Sequence, residues 1–516
     1  MGNKIYPIGI QNFESLRLDG YFYIDKTALI YQLVKSGRYY FLSRPRRFGK
    51  SLLISTLEAY FQGKKELFQG LAMEKLEKDW TKYPILHIDL NTQKYDSPQS
   101  LESKLNRTLV TWEKLYGNEP AEDSLSMRFE GTIQRAYEQT GQRVVILVDE
   151  YDKPMLQAIG NKELQNSFHE TLKAFYGALK SKDGCIKFAM LTGVTKFGKV
   201  SVFSDLNNLD DISMWNEYIE LCGISEKEIH KNLETELHEF ADVQKMTYDS
   251  FCEKLRQYYD GYHFTHNSIG MYNPFSLLNA FKRKEFGSYW FETGTPTYLV
   301  ELLKRHHYNL ERMAHEETNA QVLNSIDSES TSPIPVIYQS GYLTIKGYDE
   351  EFGIYHLGFP NKEVEEGFIQ FLVPYYTSMN NVESPFEIQK FVREIRSGDY
   401  NSFFQPLQSF FADTTYEIIR EQELHYENVL FIIFKLVGFY VKVEYHTSRG
   451  RIDLVLQTDK FIYIMEFKLN GTAEEALQQI NDKHYALPFE TDGRRLFKIG
   501  VNFSAETRNI EKWIVE

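Results

Sequence analysis

Short apolar and aromatic runs alternate with helical patterns over about the first 220 residues of the chain. Such runs are typical of buried strands, and helical patterns between them predict a parallel α/β sheet. We expect the strands at residues 39–43, 85–90, 144–148 and 186–191. Ligands bind parallel sheets outside the carboxyl ends of the strands, so functional side chains are expected there.

The pattern changes three times along the rest of the chain. Residues 224–316 carry leucines and charged residues at helix spacing and predict a helical lid. A Ser/Pro-rich loop at 328–335 precedes a predicted hairpin at 342–348 and 354–359. Helical, aromatic residues follow to about 420, and the C-terminus returns to a helix-strand-strand-strand-helix-strand pattern. We therefore predict four regions: 1–220, 221–330, 331–420 and 421–516.

Composition excludes several classes of protein. Of 516 residues, 42% are hydrophobic and 25% are charged, as in a folded globular protein of about three or four domains. No apolar run reaches the roughly 18 residues that span a bilayer, and the N-terminus lacks the apolar core of a signal peptide. Three cysteines are too few for a disulfide framework. We therefore expect a cytoplasmic protein with no membrane partner.

The charge and the aromatic content also limit the possible partners. The net charge of −14 has the wrong sign for a protein that coats nucleic acid non-specifically. A nucleic acid partner must therefore be held locally, by basic groups such as Arg449, Arg451, Lys468 and Lys483. Aromatic residues make up 15% of the chain, and composition alone favours core and interface packing for them.

A candidate phosphate-binding loop follows the first strand and opens an apolar helix at 51–60. Its residues are Arg44, Pro45, Arg46, Arg47, Phe48, Gly49, Lys50 and Ser51. In such a loop backbone N–H groups surround a phosphate, the Lys50 ammonium reaches the terminal phosphates, and the Ser51 hydroxyl ligates Mg²⁺. The general pattern has glycine at the first position, where this chain has Arg44. The segment is a candidate ATP-binding site.

Two acids follow the apolar strand 144–148. A buried parallel strand would deliver Asp149 and Glu150 to its carboxyl end. Asp149 would hold the Mg²⁺ hydration shell and Glu150 would polarise the attacking water, which favours hydrolysis over binding alone. The alternative is a buried strand with a polar end before a turn. Thr192 follows the strand 186–191, where a γ-phosphate sensor would lie.

Together these residues resemble the AAA-like ATPase family of bacterial and archaeal proteins whose chains carry a C-terminal nuclease-like domain. The resemblance covers about the first 360 residues, and in that family an arginine-bearing phosphate loop is usual. It implies a P-loop core with an additional strand, followed by a helical and winged-helix-like segment. Other blocks that look like the family are residues 8–14, 23–27, 148–152, 191–194, 259–262, 272–275, 293–296 and 341–343.

Some residues near the loop keep two interpretations. Arg46 and Arg47 either stabilise charge on a transferring phosphate or form salt bridges to the acidic strand end. The resemblance makes Gln11 and Phe13 candidates for contacting adenine, although a phenylalanine in an N-terminal segment is more often a packing residue.

The C-terminal segments 450–456 and 461–468 predict a β-hairpin around a turn at 458–460. If residues 457 and 462 are opposed, antiparallel pairing places Asp453 opposite Glu466. Glu466 and Lys468 share a face because strand side chains alternate with a period of two. An otherwise apolar hairpin would thus hold two carboxylates and one ammonium in a cluster.

Such a cluster suits metal-dependent phosphodiester cleavage. The carboxylates of Asp453 and Glu466 would bind Mg²⁺, and Lys468 would orient a water or stabilise charge. The alternative is an ordinary cross-strand charge cluster on a solvated face.

This pattern resembles the PD-(D/E)XK nuclease superfamily over about residues 421–516. The resemblance adds Glu427 on the preceding helix as a catalytic candidate. In such nucleases a helix glutamine approaches the active site, and we assign that role to Gln479, with Gln478 as the competing choice.

The expected fold is therefore a multidomain α/β protein. It comprises an AAA-like P-loop ATPase sheet (1–220), a helical lid (221–330), a winged-helix-like and linking helical region (331–420) and a restriction-endonuclease-like α/β domain (421–516). The first functional hypothesis is an ATPase coupled to a Mg²⁺-dependent nuclease, acting on DNA rather than RNA, with homo-oligomers expected. The second is an ATP-dependent signalling or assembly switch whose nuclease-like domain binds without cleaving.

Overall fold

The computed structural model describes residues 4–196, 209–292, 298–324, 332–377, 384–411, 419–438, 442–448, 451–468, 471–489, 491–504, 506–507 and 509–516. The chain forms two compact units, one of Met1–Thr293 with Glu316–Glu363 and one of Gly294–His315 with Val364–Glu516. The division into four regions stays a prediction. The block 293–296 and Arg449 lie outside the described residues, as do the side chains of Arg451 and Asp453.

The larger unit contains a five-stranded sheet in which all described pairs are parallel. The order of its strands is β2-β3-β4-β1-β5. Because β4 lies between the strand before the phosphate loop and the strand that ends at Asp149, the expected additional strand is confirmed. The sequence pattern missed β5, which is too short to give a periodic signal. The strands are β1 (Tyr39–Ser43), β2 (Ile85–Asp89), β3 (Val144–Asp149), β4 (Ile186–Gly193) and β5 (Asp210–Asp211).

The core of this unit follows from the continuous apolar runs. Every residue of β1 and β3 is buried, so both faces of the sheet are covered, as a parallel sheet requires. Aromatic rings fill part of this core, and Phe129 stacks on Phe175 with 4.4 Å between ring centroids. The α-helices that lie within this unit are Phe13–Leu18, Thr27–Ser36, Lys50–Phe61, Ala72–Leu76, Pro98–Tyr116, Leu125–Thr140, Lys153–Gln157, Lys162–Tyr176, Ala178–Ser181, Glu226–Val243, Tyr248–Tyr259, Pro274–Arg283, Tyr289–Glu292, Ala320–Asn324 and Ile334–Gln339.

Two smaller sheets complete the larger unit. The first pairs β6 (Ile224–Ser225) with β7 (Met271–Tyr272). The second has the order β8-β10-β9, and its antiparallel β9–β10 pair confirms the hairpin predicted at 342–359. Its strands are β8 (Glu316–Asn319), β9 (Thr344–Asp349) and β10 (Ile354–Gly358). Short 3-10 turns in the two units are Lys65–Phe68, Asp183–Cys185, Ile212–Met214, Asn216–Leu221, Leu310–Ala314 and Leu487–Phe489.

The second unit contains a mixed sheet of order β11-β12-β13-β14-β15. The β12–β13 pair is antiparallel and β14 runs parallel to β13, which requires the helix Ala473–Asp482 as a crossover. The sequence pattern predicted the elements up to β14 but missed β15. The strands are β11 (Lys442–Ser448), β12 (Arg451–Gln457), β13 (Phe461–Lys468), β14 (Arg495–Ser504) and β15 (Asn509–Val515).

Apolar helices accompany this second sheet. Helix Ile419–Gly438 has a buried run that includes Val429, Leu430, Ile432 and Ile433. Along the described parts of the chain, no helix is both long and apolar enough to cross a membrane. The other helices of the unit are Tyr298–Arg305, Ser384–Ser397, Tyr400–Phe411 and Ala473–Asp482, and helix Lys362–Tyr376 begins at the boundary between the units.

Candidate functional sites

The predicted phosphate loop connects β1 to helix Lys50–Phe61. Two of its residues have a left-handed backbone, Arg47 with φ 66° and Gly49 with φ 96°, which turns the chain sharply into the helix. The Lys50 ammonium donates to the carbonyl oxygens of Arg44 at 3.0 Å and Pro45 at 3.2 Å. Lys50 is only 5% exposed, so its charge lies inside the loop, and Ser51 follows in the first helical turn. This arrangement suits an anion held by the loop.

Residues distant in sequence hydrogen-bond to the phosphate loop and pack against it. The Arg46 carbonyl accepts hydrogen bonds from Trp290 Nε1 at 3.1 Å and from Asn273 Nδ2 at 3.3 Å. The buried Phe48 ring meets Tyr262 edge-on at 4.8 Å. Sequence reasoning assigned no role to these partners, although Asn273 and Tyr262 lie in the family-like blocks 272–275 and 259–262. Tyr262 and Asn273, one residue from each block, therefore contact the phosphate loop itself.

The three arginines of the loop have different surroundings. The Arg46 guanidinium lies 5.4 Å from the Trp290 ring, and that of Arg47 lies 5.1 Å from the Phe275 ring. The Arg44 side chain is buried and donates to the carbonyl oxygens of Ser43 and Ser213. Aromatic faces therefore contact Arg46 and Arg47, and their two interpretations stay open.

The strand-end acids lie as the sheet order requires. Asp149, 6% exposed, ends β3, and the Thr192 hydroxyl of neighbouring β4 donates to its Oδ1 at 2.6 Å. Glu150 has a left-handed backbone with φ 52°, which costs energy in a residue with a side chain. Burial raises the pKa of Glu150, and the nearby Lys50 charge opposes that rise. The structure thus brings Asp149 and Thr192 into contact and places Glu150 within the field of Lys50.

Sequence reasoning gave no role to Asp152, which it treated as part of a turn. Asp152 is 1% exposed and accepts hydrogen bonds from Val194 N at 3.2 Å and from Thr195 N at 2.6 Å and Oγ1 at 2.7 Å. Burial raises the pKa of its carboxyl group. Asp152 therefore holds the turn after β4, next to Thr192.

An apolar cavity with about 100 Å³ of space for water-sized molecules adjoins the loop at Gly49. Phe22 and Ile24 of the N-terminal segment, Leu53 of the loop helix and Cys222 contribute to its walls. Its mostly apolar walls, beside a phosphate site, are of the kind that pack against the flat base of a nucleotide.

The N-terminal adenine candidates have separate surroundings. Phe13 is fully buried and packs against Tyr23 at 5.5 Å and Phe68 at 5.0 Å, which confirms its packing interpretation. Gln11 is exposed.

The C-terminal hairpin has the predicted register, with Asp453 opposite Glu466. Glu466 is fully buried, and the Lys468 ammonium lies 3.7 Å from its Oε1. Lys468 also donates to Oε1 of Gln479 on helix Ala473–Asp482. The competing Gln478 is exposed and donates to Asp482 at 2.7 Å. Of the two glutamines, Gln479 is therefore the one that meets the lysine.

Glu427 has a partner that sequence reasoning missed. Its Oε2 accepts from Asn309 Nδ2 at 3.3 Å, within the same unit. Next to it, Asn428 accepts from Leu310 N at 2.8 Å and donates to the Tyr308 carbonyl at 3.1 Å. Residues 308–310 thus hold the helix segment that carries Glu427, although they lie more than 100 positions earlier in the chain.

Each unit buries a carboxylate, the kind of oxygen ligand that a hard divalent cation takes. Glu466 in the second unit and Asp149 in the first are buried carboxylates that a cation would compensate. Over the residues whose side chains are described, no group of three His, Cys, Asp or Glu residues converges as metal ligands. The Asp453 carboxylate, which lies outside that set, is needed to complete the C-terminal pair.

Comparisons with known proteins match both units. Residues 7–203 match a family model described as a predicted AAA-ATPase, and residues 421–513 match one described as the PD-(D/E)XK nuclease superfamily. An Azotobacter chroococcum mcd 1 protein, described as an uncharacterized protein in the vnfD 5′ region, is 35% identical over 532 residues. That alignment covers 100% of this chain and 99% of the other. A solved structure of Aeropyrum pernix ORC2 in ADPNP-ADP complexes is 12% identical with a TM-score of 0.24, covering 70% of this chain and 92% of that one.

Proposed function

Because this chain belongs to the AAA-ATPase-like family and ends in a domain of the PD-(D/E)XK nuclease superfamily, we propose that it hydrolyses ATP to control a Mg²⁺-dependent nuclease. DNA is the proposed substrate in preference to RNA, and the proposed active form is a homo-oligomer. The observation that carries the nuclease half is the buried Glu466 beside Lys468 and Gln479, in a unit separate from the phosphate loop.

The residues of the first unit would divide the work of ATP hydrolysis. The Lys50 ammonium would move from the loop carbonyl oxygens onto the β- and γ-phosphates. Carbonyl and phosphate oxygens both accept hydrogen bonds, but the phosphate oxygens are charged and bind an ammonium more strongly. Asp149 and Ser51 would hold Mg²⁺, and Thr192 keeps the Asp149 carboxylate oriented through its 2.6 Å hydrogen bond. Glu150 would accept a proton from the attacking water.

The residues of the second unit would divide the work of phosphodiester cleavage. Glu466 and Asp453 would hold the cation, which when bound supplies a water of lowered pKa and screens the phosphate. Lys468, fixed by Gln479, would place its ammonium beside the scissile phosphate. Glu427, held by Asn309, would lie where the nucleic acid enters the active site.

The test separates the two activities in the full-length chain. We would measure phosphate release from ATP and the cleavage of single-stranded DNA, double-stranded DNA and RNA, each with Mg²⁺ and with a chelator. Lys50→Ala is expected to abolish ATP turnover, whereas Glu466→Gln is expected to lower cleavage about 100-fold or more and leave ATP turnover unchanged.

Gln479→Ala and Gln478→Ala form a matched pair on one helix. Loss of the Lys468 partner predicts weaker cleavage for Gln479→Ala, and the exposed Gln478→Ala should cleave as the wild type does. Wild-type cleavage by Glu466→Gln would refute the nuclease assignment. If ATP and Mg²⁺ change the mass of the assembly in solution but none of the three substrates is cleaved, the result would instead support the assembly switch.

A further inference from the structure

A second cavity, with about 30 Å³ of space for water-sized molecules, adjoins the start of the phosphate loop. It shares no lining residue with the apolar cavity at Gly49. Its walls include two cationic side chains, Arg44 and Lys196, together with Phe264 and Thr344. Both cations are almost completely buried, with Arg44 1% and Lys196 4% exposed.

The guanidinium of Arg44 is only partly satisfied by the protein. Its Nη1 donates to the carbonyl oxygens of Ser43 at 2.9 Å and Ser213 at 2.7 Å, and the ring of Phe264 lies 4.0 Å from the guanidinium carbon. Its Nε and Nη2 are buried, and no hydrogen-bond acceptor for them exists among the residues that the structure describes. These two atoms form the side-on edge of the guanidinium, which matches two oxygens of a carboxylate or a phosphate.

The charge balance of the cavity favours an anion. Lys196 pairs with Asp211 at 2.9 Å and donates to Asn324 at 2.6 Å, so its charge already has a partner. Burial lowers the pKa of Arg44 to about 10, which still leaves the side chain charged at neutral pH. Asp211 also attracts the Arg44 charge, so the two buried cations share its single carboxylate. An anion at the free edge of the guanidinium would balance the remaining positive charge.

We propose that this cavity binds a small oxyanion, with two oxygens of one carboxylate or phosphate group accepting from Nε and Nη2 of Arg44. The site is distinct from the nucleotide site of the proposed function, because it lies on the guanidinium of Arg44 and not on the ammonium of Lys50. One residue connects the two sites, because the carbonyl oxygen of Arg44 accepts a hydrogen bond from the Lys50 ammonium. An anion in this cavity would therefore fix the residue on which the Lys50 ammonium rests.

The experiment uses the full-length chain with inorganic phosphate or acetate as the probe and chloride at equal ionic strength as the reference. Calorimetry and thermal unfolding would compare the wild type with Arg44→Met and Lys50→Ala. The proposal predicts that Arg44→Met weakens anion binding about tenfold or more, whereas Lys50→Ala retains it. Binding of phosphate or of acetate that is weakened in Arg44→Met and kept in Lys50→Ala supports the site and tells which group it prefers.

Three outcomes would overturn the proposal. Binding that is lost in Lys50→Ala and kept in Arg44→Met would place the anion in the phosphate loop, and no binding of either probe would exclude the site. If Arg44→Met does not fold, Arg44→Lys keeps the charge but loses the two-donor edge and should still bind about tenfold more weakly. In crystals of the wild-type protein soaked with selenate, the anomalous peak must lie within hydrogen-bond distance of Arg44 Nε; its absence there refutes the proposal.

Discussion

Replacing Gly500 by alanine should damage the C-terminal site without touching its charged residues. Gly500 lies in β14 opposite Glu466 of β13, beneath the helix Ala473–Asp482 that carries Gln479. A Cβ at this position would lie 2.1 Å from the Ala473 carbonyl oxygen and 2.5 Å from the Leu477 nitrogen. Both are backbone atoms of the helix, so a side-chain rotation cannot relieve the overlap.

The size of the effect follows from these distances. Ordinary van der Waals contact of a Cβ begins at 3.4 Å, so the helix must move away from β14 by about 1.3 Å. Overpacking of this kind costs about 1–3 kcal/mol of unfolding free energy. A misplacement of about 1 Å in a catalytic group can reduce a rate about 100-fold. We therefore expect Gly500→Ala to separate Gln479 from Lys468 and to lower cleavage by about that factor.

The assay combines thermal unfolding, Mg²⁺-dependent cleavage and ATP turnover of the full-length chain. Gly493→Ala is the matched control, because a Cβ at Gly493 would meet nothing within 4 Å. Gly500→Ala should unfold at a lower temperature and lose cleavage while keeping ATP turnover, and Gly493→Ala should match the wild type. A Gly500→Ala chain that unfolds at the wild-type temperature would refute the packing argument, whatever its activity.

Two further predictions concern pH. Burial raises the pKa of Glu150 above the ordinary glutamate value of 4.5. Because the proposed proton acceptor must be ionised, the acidic limb of the ATP turnover profile should lie at a higher pH than that value. A pH–rate profile whose acidic limb lies at the ordinary value would contradict this role. Burial, aided by Lys304, lowers the pKa of His425 from 6.5 to about 4, so the unfolded chain binds the proton first and stability is lost as pH falls from 6.5 to 4. The free energy of unfolding should fall by about 3 kcal/mol. In His425→Gln the unfolding temperature should depend less on pH over that interval, and a pH dependence equal to that of the wild type would contradict the prediction.

Local patterns were sufficient for the strand ends and for the hairpin register. The apolar run 144–148 predicted a buried strand, and β3 carries it one residue further to Asp149. The register of Asp453 with Glu466 followed from the turn alone, because one opposed pair fixes every other pair in an antiparallel hairpin. β15 was missed although it pairs with the strand just before it, because its apolar residues Ile510, Trp513 and Ile514 do not alternate with a period of two.

Contacts between distant segments could not be read from the sequence. Asn273 and Trp290 reach the Arg46 carbonyl from positions 227 and 244 residues away. Asn309 reaches Glu427 across 118 positions. Periodicity reports which face of an element is apolar, but it does not say which other element covers that face. One sequence was therefore enough to predict the phosphate loop and the strand-end acids, but not the distant residues that hydrogen-bond to them.

The aromatic partners give a physical reason for the unusual phosphate loop. A glycine-rich loop keeps its shape through its own backbone, whereas this one has bulky residues at most positions and its shape needs support from outside. Phe48 is held by Tyr262, and the Arg46 carbonyl is held by Trp290. Gly341 approaches Pro45 so closely that a Cβ would lie 2.6 Å from the Pro45 Cβ. The aromatic residues that composition assigns to general packing are, at these positions, the structure that keeps Lys50 and the loop N–H groups in place for an anion.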